Sequence, residues 1–366
     1  MAELKIYTDK IIENIQKIND FTAKHNKQWT LISKVLSGNK QVLKEITNSG
    51  LLPGIHSIGD SRISNLRTVK QINPDIITMY IKPPAINYAD EIIEVADISL
   101  NTSLDTLFAL NEAATRHNKI HKVIIMIEMG ELREGILHEN VMQFYSNAFK
   151  LHNIDVVGLG TNLGCMYGIE PTYDKLLQLS LYKQLIDTKF DQKLELISGG
   201  TSITLPLITQ GKLPNEINHF RIGEAAFLGI SPLNNERFDT LNTDAFNVEA
   251  VIVEIEEKKY IPEGILSDGN IGHTNDQIRD GNETCFKALV DFGILDVDID
   301  NIESEDENIN FIGTTSDITV FDLGENKNED GTTKYKVGDT ISFSPSYMGV
   351  ARLMASKFVD KTVITN

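Results

Sequence analysis

Cysteine, tryptophan and long apolar runs are all scarce in this chain of 366 residues. The two cysteines, Cys165 and Cys285, lie far apart and form no CxxC pair, so we expect neither a disulfide framework nor a metal site, and a reducing cytoplasm fits. No apolar run approaches the roughly 20 residues needed to cross a bilayer. The charged first residues pass directly into an alternating run, and we expect no secretory signal there.

Basic residues are also few, since 34 lysines and arginines face 52 aspartates and glutamates, which gives a formal net charge of −18. This balance argues against nucleic acid and against an anionic membrane surface as partners. It is compatible with a cationic substrate. Solubility alone explains it at least as well, because many of the acids cluster in segments such as Glu303–Glu307.

One pattern repeats from Thr30 to about Gly229, a short Val/Ile/Leu run followed by an amphipathic helix. The eight candidate strands are Leu31–Val35, Gly54–Ile58, Ile76–Ile81, Ile98–Asn101, Val123–Glu128, Val156–Gly160, Leu194–Ile197 and Phe220–Ile222. Eight strands alternating with helices predict an α/β fold, a (β/α)8 TIM barrel. The alternative is an open doubly wound sheet, which the lack of a GxGxxG turn after the first strand disfavours.

The pattern changes after Pro232, where short strands are separated by Gly, Asn and Asp. We therefore predict a barrel domain over residues 1–232 and a mainly β domain over 233–366, with the first strand of the chain available to pair with the second domain. The predicted strands of the second domain are Phe246–Glu256, Lys287–Phe292, Phe311–Ile312, Thr319–Leu323, Tyr335–Val337 and Asp339–Phe343. The stretches Asp298–Asn310 and Gly324–Thr333 are predicted to be solvated loops, and Met348–Lys357 a helix.

Lys34 lies where the first predicted barrel strand meets the turn at Gly38. A lysine at the end of a buried strand is costly without a partner, because its ammonium loses hydration there. A desolvated lysine has a lowered pKa and can form a Schiff base with pyridoxal phosphate. On this segment alone, the commoner outcome is an ordinary strand end whose lysine extends to water.

Two later segments support a phosphate cofactor. Ser198–Ser202 follows the seventh predicted strand, and Arg221–Glu224 ends the eighth. In (β/α)8 barrels these two loops commonly bind phosphate, through hydroxyls and the backbone N–H groups of helix starts. Taken singly, Ser-Gly-Gly-Thr-Ser is more often a tight turn with a helix cap. Together with Lys34 and Arg221, the phosphate interpretation is the better one.

Several longer motifs resemble a known family. They are Ile32–Val35, Ile58–Leu66, Gly130–Gly135, Gly158–Leu163, Ser198–Ser202, Arg221–Glu224, Gly313–Asp317 and Tyr347. In this order they are similar to the fold-type III pyridoxal-phosphate enzymes of the alanine racemase superfamily, and most closely to its branch of ornithine and amino-acid racemases. The resemblance extends from residue 32 into the second domain, so it covers nearly the whole chain.

The resemblance implies a role for each matching position. Lys34 would carry pyridoxal 5'-phosphate and transfer one proton, and Arg221 would face the pyridine nitrogen and keep it unprotonated. Arg133 would lie near the phenolic oxygen and Asn162 against the ring. The phosphate side is implied for residues of the last two loops, namely Ser198, Gly200, Thr201, Ser202, Gly223 and Glu224.

The chain also departs from alanine racemase. Lys34 is followed by Val35 where that enzyme has a phosphate-binding tyrosine, and the turn Gly293–Asp296 lacks the tyrosine that serves as second base. Racemisation needs two groups on opposite faces of the Cα. Tyr347 is our first candidate for the second, ahead of Cys165 and of His273.

The resemblance thus predicts a pyridoxal-phosphate-dependent racemase acting on a basic amino acid such as ornithine or lysine. The alternatives are a non-catalytic pyridoxal-phosphate-binding protein, and a D-threonine-aldolase-like lyase with a metal cluster in its second domain. Proteins of this superfamily assemble head to tail, so a homodimer is expected.

Overall fold

The computed structural model describes residues 2–265, 272–274 and 283–365. The chain divides into two compact units, one formed by Lys10–Thr243 and the other by Met1–Asp9 with Asp244–Asn366. The sequence alone placed this boundary after residue 232. No helix in the described part of the chain is both long enough and apolar enough to pass through a bilayer.

The first unit, with the strand that precedes it, alternates strands and helices. Its strands are β1 (Glu3–Tyr7), β2 (Gln28–Ile32), β3 (Ser57–Asp60), β4 (Thr78–Tyr80), β5 (Ile98–Asn101), β6 (His121–Met126), β7 (Ile154–Gly160), β8 (Leu196–Thr201), β9 (His219–Ile222), β10 (Ile230–Ser231) and β11 (Glu236–Arg237). Its helices are α1 (Thr8–Lys24), α2 (Lys40–Asn48), α3 (Ile63–Ile72), α4 (Ala89–Val95), α5 (Leu104–Arg116), α6 (Val141–Ala148), α7 (Tyr173–Phe190), α8 (Leu205–Thr209) and α9 (Glu224–Leu228).

Strands β2 to β9 close into a parallel barrel, with β9 paired to β2, so the predicted (β/α)8 barrel is confirmed. Buried apolar side chains from β4 to β8 pack into one cluster, namely Met79, Ile98, Leu100, Ile124, Met126, Val157 and Leu196. Their burial removes apolar surface from water and is the main favourable contribution to folding. The neighbouring strands β8, β9, β2 and β3 instead bury polar side chains, among them Thr30, Ser57, Ser198 and His219.

All eight predicted barrel strands are present, and β5 has the predicted bounds. The largest functional difference concerns the first strand, which ends at Ile32 instead of Val35. Ser33 leaves the extended conformation, with φ −87° and ψ 2°, and Lys34–Leu36 forms a single turn of 3-10 helix. The sequence predicted a longer strand because the residues after Lys34 are apolar. Val35 and Leu36 are completely buried in this turn, as they would be in a strand, so residue type alone does not distinguish the two conformations.

The second unit is a β-sheet with strands β12 (Phe246–Lys259), β13 (His273–Thr274), β14 (Thr284–Val290), β15 (Ile302–Ser304), β16 (Asn310–Thr314), β17 (Thr319–Asp322), β18 (Thr340–Pro345) and β19 (Asp360–Ile364), and one helix, α10 (Tyr347–Ala355). The long strand β12 is central, since it pairs antiparallel with β1, β14 and β18. Strand β1 also pairs in parallel with β19.

Two predictions for this unit are wrong. Tyr335–Val337 is not a strand, because both backbone polar groups of Tyr335 bond to the side chain of Asn326 and not to a neighbouring strand. The acidic segment Asp298–Asn310 is not only a loop, since its residues Ile302–Ser304 form β15 and pair with β18. Burial of Ile302 supplies the apolar contact that the charged sequence conceals.

Candidate active site at the carboxyl ends of the barrel strands

Lys34 begins the turn that follows β2, and its side chain is exposed. Of the two outcomes that the sequence left open for this segment, the structure therefore has the commoner one, a lysine that reaches solvent, and the strand ends two residues before it. The preceding residue, Ser33, is buried and donates through Oγ to Asp60 Oδ2 at 3.2 Å. The backbone immediately before Lys34 is thus anchored to the end of β3.

Asp60 is completely buried and connects this turn to helix α3. Its Oδ1 accepts from the backbone N–H of Arg62 at 2.9 Å and from Asn65 Nδ2 at 3.1 Å. Burial raises the pKa of Asp60, against the effect of these hydrogen bonds. On the other side of the turn Gly38 has φ +74°, and a Cβ there would lie 2.7 Å from Asn65 Oδ1. The turn carrying Lys34 is therefore fixed on both sides.

Arg221, on β9, is the buried cation of the barrel, with 4% of its surface exposed. One terminal nitrogen donates to the Ser198 hydroxyl, and the other donates to Thr161 O at 2.8 Å and Asn162 Oδ1 at 2.5 Å. Burial lowers the pKa of Arg221 to about 10, which still leaves the guanidinium charged at neutral pH. These acceptors hold the guanidinium between β7 and β8.

Arg133 lies in the loop after β6 and is paired with its neighbour Glu134. Both oxygens of Glu134 accept from Arg133, and this contact raises the pKa of the arginine. Asn162 Nδ2 donates to the same carboxylate, and Arg133 also donates to Cys165 Sγ at 2.5 Å. The sequence did not single out Glu134, although an acid directly after a candidate arginine was a usable signal.

Two further acids of this segment shape loops. Glu131 is buried, and its carboxylate accepts from four backbone N–H groups in the loop after β7, those of Cys165, Met166, Tyr167 and Ile169, at 2.8–3.0 Å. Burial alone would raise the pKa of Glu131, but these hydrogen bonds outweigh it and lower the pKa to about 2. Glu128 accepts from the N–H groups of Gly130, Leu132 and Arg133.

The loop after β8 begins with an irregularity in strand pairing. Ser198 pairs with His219 and Thr201 with Arg221, so one extra residue of β8 is accommodated between them. Gly200 has φ +127°, and a Cβ there would lie 2.3 Å from Thr204 Oγ1, which explains the glycine. This extra residue sets the Thr201 backbone beside the end of β9.

Ser202 and Glu224 connect the two predicted phosphate loops. Ser202 is buried, and its Oγ accepts from the backbone N–H of Ala225 at 3.1 Å. Glu224, which begins α9 after Gly223, is partly buried. Burial raises the pKa of Glu224, and the positive charge of Lys34 opposes this rise, so these two side chains are electrostatically coupled.

Hydrogen bonds therefore join Arg133, Asn162, Ser198 and Arg221 into one network that also contains Glu134 and Cys165. The other candidate bases belong to the second unit. Tyr347 begins α10 and is half-buried, whereas His273 is exposed in β13 and pairs with Thr314.

The donor set fits pyridoxal phosphate. It offers an exposed amine for an aldehyde, a buried guanidinium for a ring nitrogen, and the hydroxyls of Thr201 and Ser202 at the start of a helical turn for a phosphate. Among the described residues, no three or more His, Cys, Asp or Glu side chains lie close enough together to hold a metal ion.

Comparison with known proteins agrees with this architecture. An alanine racemase of Bartonella henselae, solved with covalently bound pyridoxal phosphate, superposes with a TM-score of 0.69 at 14% identity over 99% of both chains. The ornithine racemase of Acetoanaerobium sticklandii is 31% identical over 99% of both chains. The lysine racemase of Thermotoga maritima is 28% identical over 98% of this chain and 97% of the relative.

The closed eight-stranded barrel with a separate, mainly β unit is an alanine racemase-like fold. The model of the alanine racemase N-terminal domain matches residues 6–232, and the chain belongs to this family.

Proposed function

We propose that this protein is a pyridoxal-phosphate-dependent racemase that inverts the Cα of a basic amino acid, ornithine or lysine. The observation that carries this proposal is the exposed Lys34 on a turn fixed on both sides, in a barrel whose interior holds Arg221 as a buried cation with three hydrogen bonds. The two racemase relatives that match essentially the full chain support the reaction and the choice of basic substrates.

When bound, pyridoxal phosphate supplies an electron sink that makes the Cα–H of an attached amino acid acidic. Lys34 would hold the cofactor aldehyde and, once displaced by substrate, move a proton at one face of the Cα. Arg221 would donate to the pyridine nitrogen. Because a guanidinium gives up its proton poorly, Arg221 would leave that nitrogen unprotonated and the sink weak, which would favour racemisation over transamination.

The remaining cofactor contacts are proposed for residues in the loops that follow β6, β7, β8 and β9. Arg133 would face the phenolic oxygen, with its direction fixed by Glu134, and Asn162 would lie against the ring. The hydroxyls of Thr201 and Ser202, with backbone N–H groups of Gly200, Gly223 and Glu224, would hold the phosphate. Ser198 would contribute indirectly, by accepting a hydrogen bond from Arg221 and so holding the guanidinium in place.

We propose that the protein forms a head-to-tail homodimer in the cytoplasm. Tyr347 of the partner subunit would then serve the opposite face of the Cα. Cys165 is the alternative, and one observation favours it. Arg133, which is proposed to contact the cofactor, donates a hydrogen bond to the Cys165 sulfur.

The test is the visible spectrum of the purified protein before and after borohydride, followed by incubation with L-ornithine, L-lysine and L-alanine in deuterium oxide. We expect an absorption band that borohydride fixes to the peptide containing Lys34, loss of optical rotation, and deuterium at the Cα of the basic substrates. Lys34→Ala should lose the fixed label and turnover, while Lys40→Ala, an exposed lysine on α2, should keep both. Retained racemisation by Lys34→Ala would refute the assignment.

Two other outcomes have defined meanings. A cofactor band without α-proton exchange for any amino acid would favour a non-catalytic pyridoxal-phosphate-binding protein. Loss of activity on dialysis against a chelator, with cleavage of D-threonine, would favour the metal-assisted aldolase.

A further inference from the structure

A row of buried polar side chains continues from Arg221 into the barrel interior. The Ser198 hydroxyl that accepts from Arg221 also lies 2.9 Å from Nδ1 of His219. The other ring nitrogen of His219, Nε2, lies 2.9 Å from Thr30 Oγ1. Ser198, His219 and Thr30 have no measurable exposure to solvent. Both nitrogens of a fully buried histidine are thus used within the barrel.

The row continues to the opposite end of the strands. Thr30 Oγ1 lies 2.7 Å from the hydroxyl of Ser57, the first residue of β3. Ser57 in turn lies 3.2 Å from Nδ1 of His56, which is half-buried. The rings of His56 and His219 also meet edge to face at 5.2 Å. One chain of hydrogen bonds therefore runs from the amino ends of the strands to Arg221.

The arginine fixes the direction of this chain. A guanidinium only donates, so the Ser198 oxygen must accept from Arg221. Among the described residues, Ser198 Oγ has only Arg221 and Nδ1 of His219 as partners, so its buried hydrogen is satisfied only if Nδ1 is unprotonated and accepts it. Burial holds the pKa of His219 well below its usual value, so the ring is neutral and carries one proton. That proton is on Nε2 and is donated to Thr30.

We infer that His219 is a positioning residue for Arg221, held as the neutral tautomer with its proton on Nε2. By accepting the hydrogen of Ser198, it keeps the Ser198 oxygen turned toward the guanidinium. Thr161 O and Asn162 fix the guanidinium from the other strand, so Ser198 is its acceptor on the β8 side. Without His219 the Ser198 hydroxyl can rotate, and Arg221 loses a fixed acceptor.

This inference rests on the proposed function for its consequence. A guanidinium that is no longer held in place leaves the pyridine nitrogen free to gain a proton, which strengthens the electron sink. Transamination, in which the amino group stays on the cofactor, should then increase relative to racemisation. His219 touches neither substrate nor cofactor and acts through Ser198 and Arg221.

The first experiment needs no cofactor. Nitrogen-15 NMR of histidine-labelled protein, free of pyridoxal phosphate, reports the tautomer of each ring, and the His219 signals are assigned by their loss in His219→Gln. We expect a neutral ring protonated on Nε2. A proton on Nδ1, or a charged ring at pH 7.5, would overturn the inference.

The second experiment compares buried-histidine variants in the loaded enzyme. His219→Phe should raise the ratio of transamination to racemisation roughly fivefold to a hundredfold, the range expected for one lost acceptor at a buried donor. His219→Gln should restore most of the wild-type ratio, because an amide can both accept from Ser198 and donate to Thr30. His121→Phe is the matched control, since His121 is also buried but bonds to Ser99, outside this row.

Thr30→Val keeps the test decisive should His219→Phe not fold. It preserves the shape of the side chain and removes the acceptor of the Nε2 proton, so the tautomer should change and the ratio should rise. An unchanged ratio in folded Thr30→Val and His219→Phe would overturn the inference. Failure of the unaltered protein to bind pyridoxal phosphate would instead refute the proposed function, and the tautomer would still be measurable.

Discussion

The side chains of Asn162 and Glu134 are hydrogen-bonded to each other, across the loops that follow β7 and β6. Asn162 also accepts from Arg221, and Glu134 accepts from Arg133. The arginines proposed to face the pyridine nitrogen and the phenolic oxygen of the cofactor are therefore connected through one amide and one carboxylate. The Glu134 carboxylate offsets the positive charge of Arg133 and fixes its orientation, and through Asn162 it also fixes the orientation of Arg221.

Replacing Glu134 should consequently disturb both arginines. In Glu134→Gln, Arg133 loses a charged two-oxygen acceptor, and we expect kcat/KM to fall at least about tenfold and pyridoxal-phosphate affinity to weaken. Steady-state racemisation and cofactor titration measure these effects. The control is Glu139→Gln, an exposed acid further along the same segment. Equal kinetics for the two variants would show that Glu134 does not position Arg133.

Glu131 should contribute stability that depends on pH. Its pKa is about 2 in the folded protein, below its usual value of 4.5, so the stabilisation is complete above about pH 4.5 and is lost as the pH falls toward 2. At neutral pH Glu131→Gln should lower the free energy of unfolding by about 3–4 kcal/mol, which is the fall of the pKa from 4.5 to about 2 converted at ~1.4 kcal/mol per pKa unit.

Urea unfolding of the wild type and of Glu131→Gln at pH 7 and pH 3 tests this prediction. The difference between their midpoints should shrink at pH 3, and Glu139→Gln should show no comparable pH dependence. A constant difference at both pH values would mean that the four N–H groups do not depend on the charge of Glu131.

Gly135 is required by the close approach of two backbone segments. Its φ is +145°, and a Cβ there would lie 2.3 Å from the backbone nitrogen of Glu128. Gly135→Ala should therefore displace the loop carrying Arg133 and destabilise the barrel by about 2 kcal/mol or more. Gly211→Ala is the control, since Gly211 also has positive φ but no neighbouring atom within 4 Å, and should cost only about 1 kcal/mol. Thermal unfolding of both variants separates the cost of the steric clash at residue 135 from the cost of a positive φ alone. Equal losses of stability in the two variants would exclude a steric requirement for glycine at position 135.

The second base is tested by substitution in deuterium oxide. If Tyr347 serves the opposite face, Tyr347→Phe should lower racemisation by about 10²- to 10⁴-fold while α-proton exchange continues for one enantiomer only. Tyr335→Phe is the control, because its hydroxyl instead bonds to Asp306 at 2.7 Å. The same one-sided exchange in Cys165→Ser, with Tyr347→Phe active, would transfer the role to Cys165.

The sequence predicted the number of barrel strands because each repeats a local signal, an apolar run followed by an amphipathic helix. It misplaced the end of β2 by three residues, since Val35 and Leu36 are apolar and buried whether the chain is extended or turned. It missed β15 for the opposite reason, because acidic residues surround the one buried apolar side chain that anchors the strand.

The sequence by itself determined the barrel, the motifs shared with the alanine racemase family, and the candidate lysine and arginines, because these depend on residue type and order. The tertiary structure decided what those residues contact. That Lys34 is exposed, that Glu134 binds Arg133, that Glu131 holds a loop some thirty residues away, and that His219 lies behind Arg221 all depend on strands brought together by barrel closure. Contacts between residues distant in the chain leave no local pattern, so only the folded arrangement reveals them.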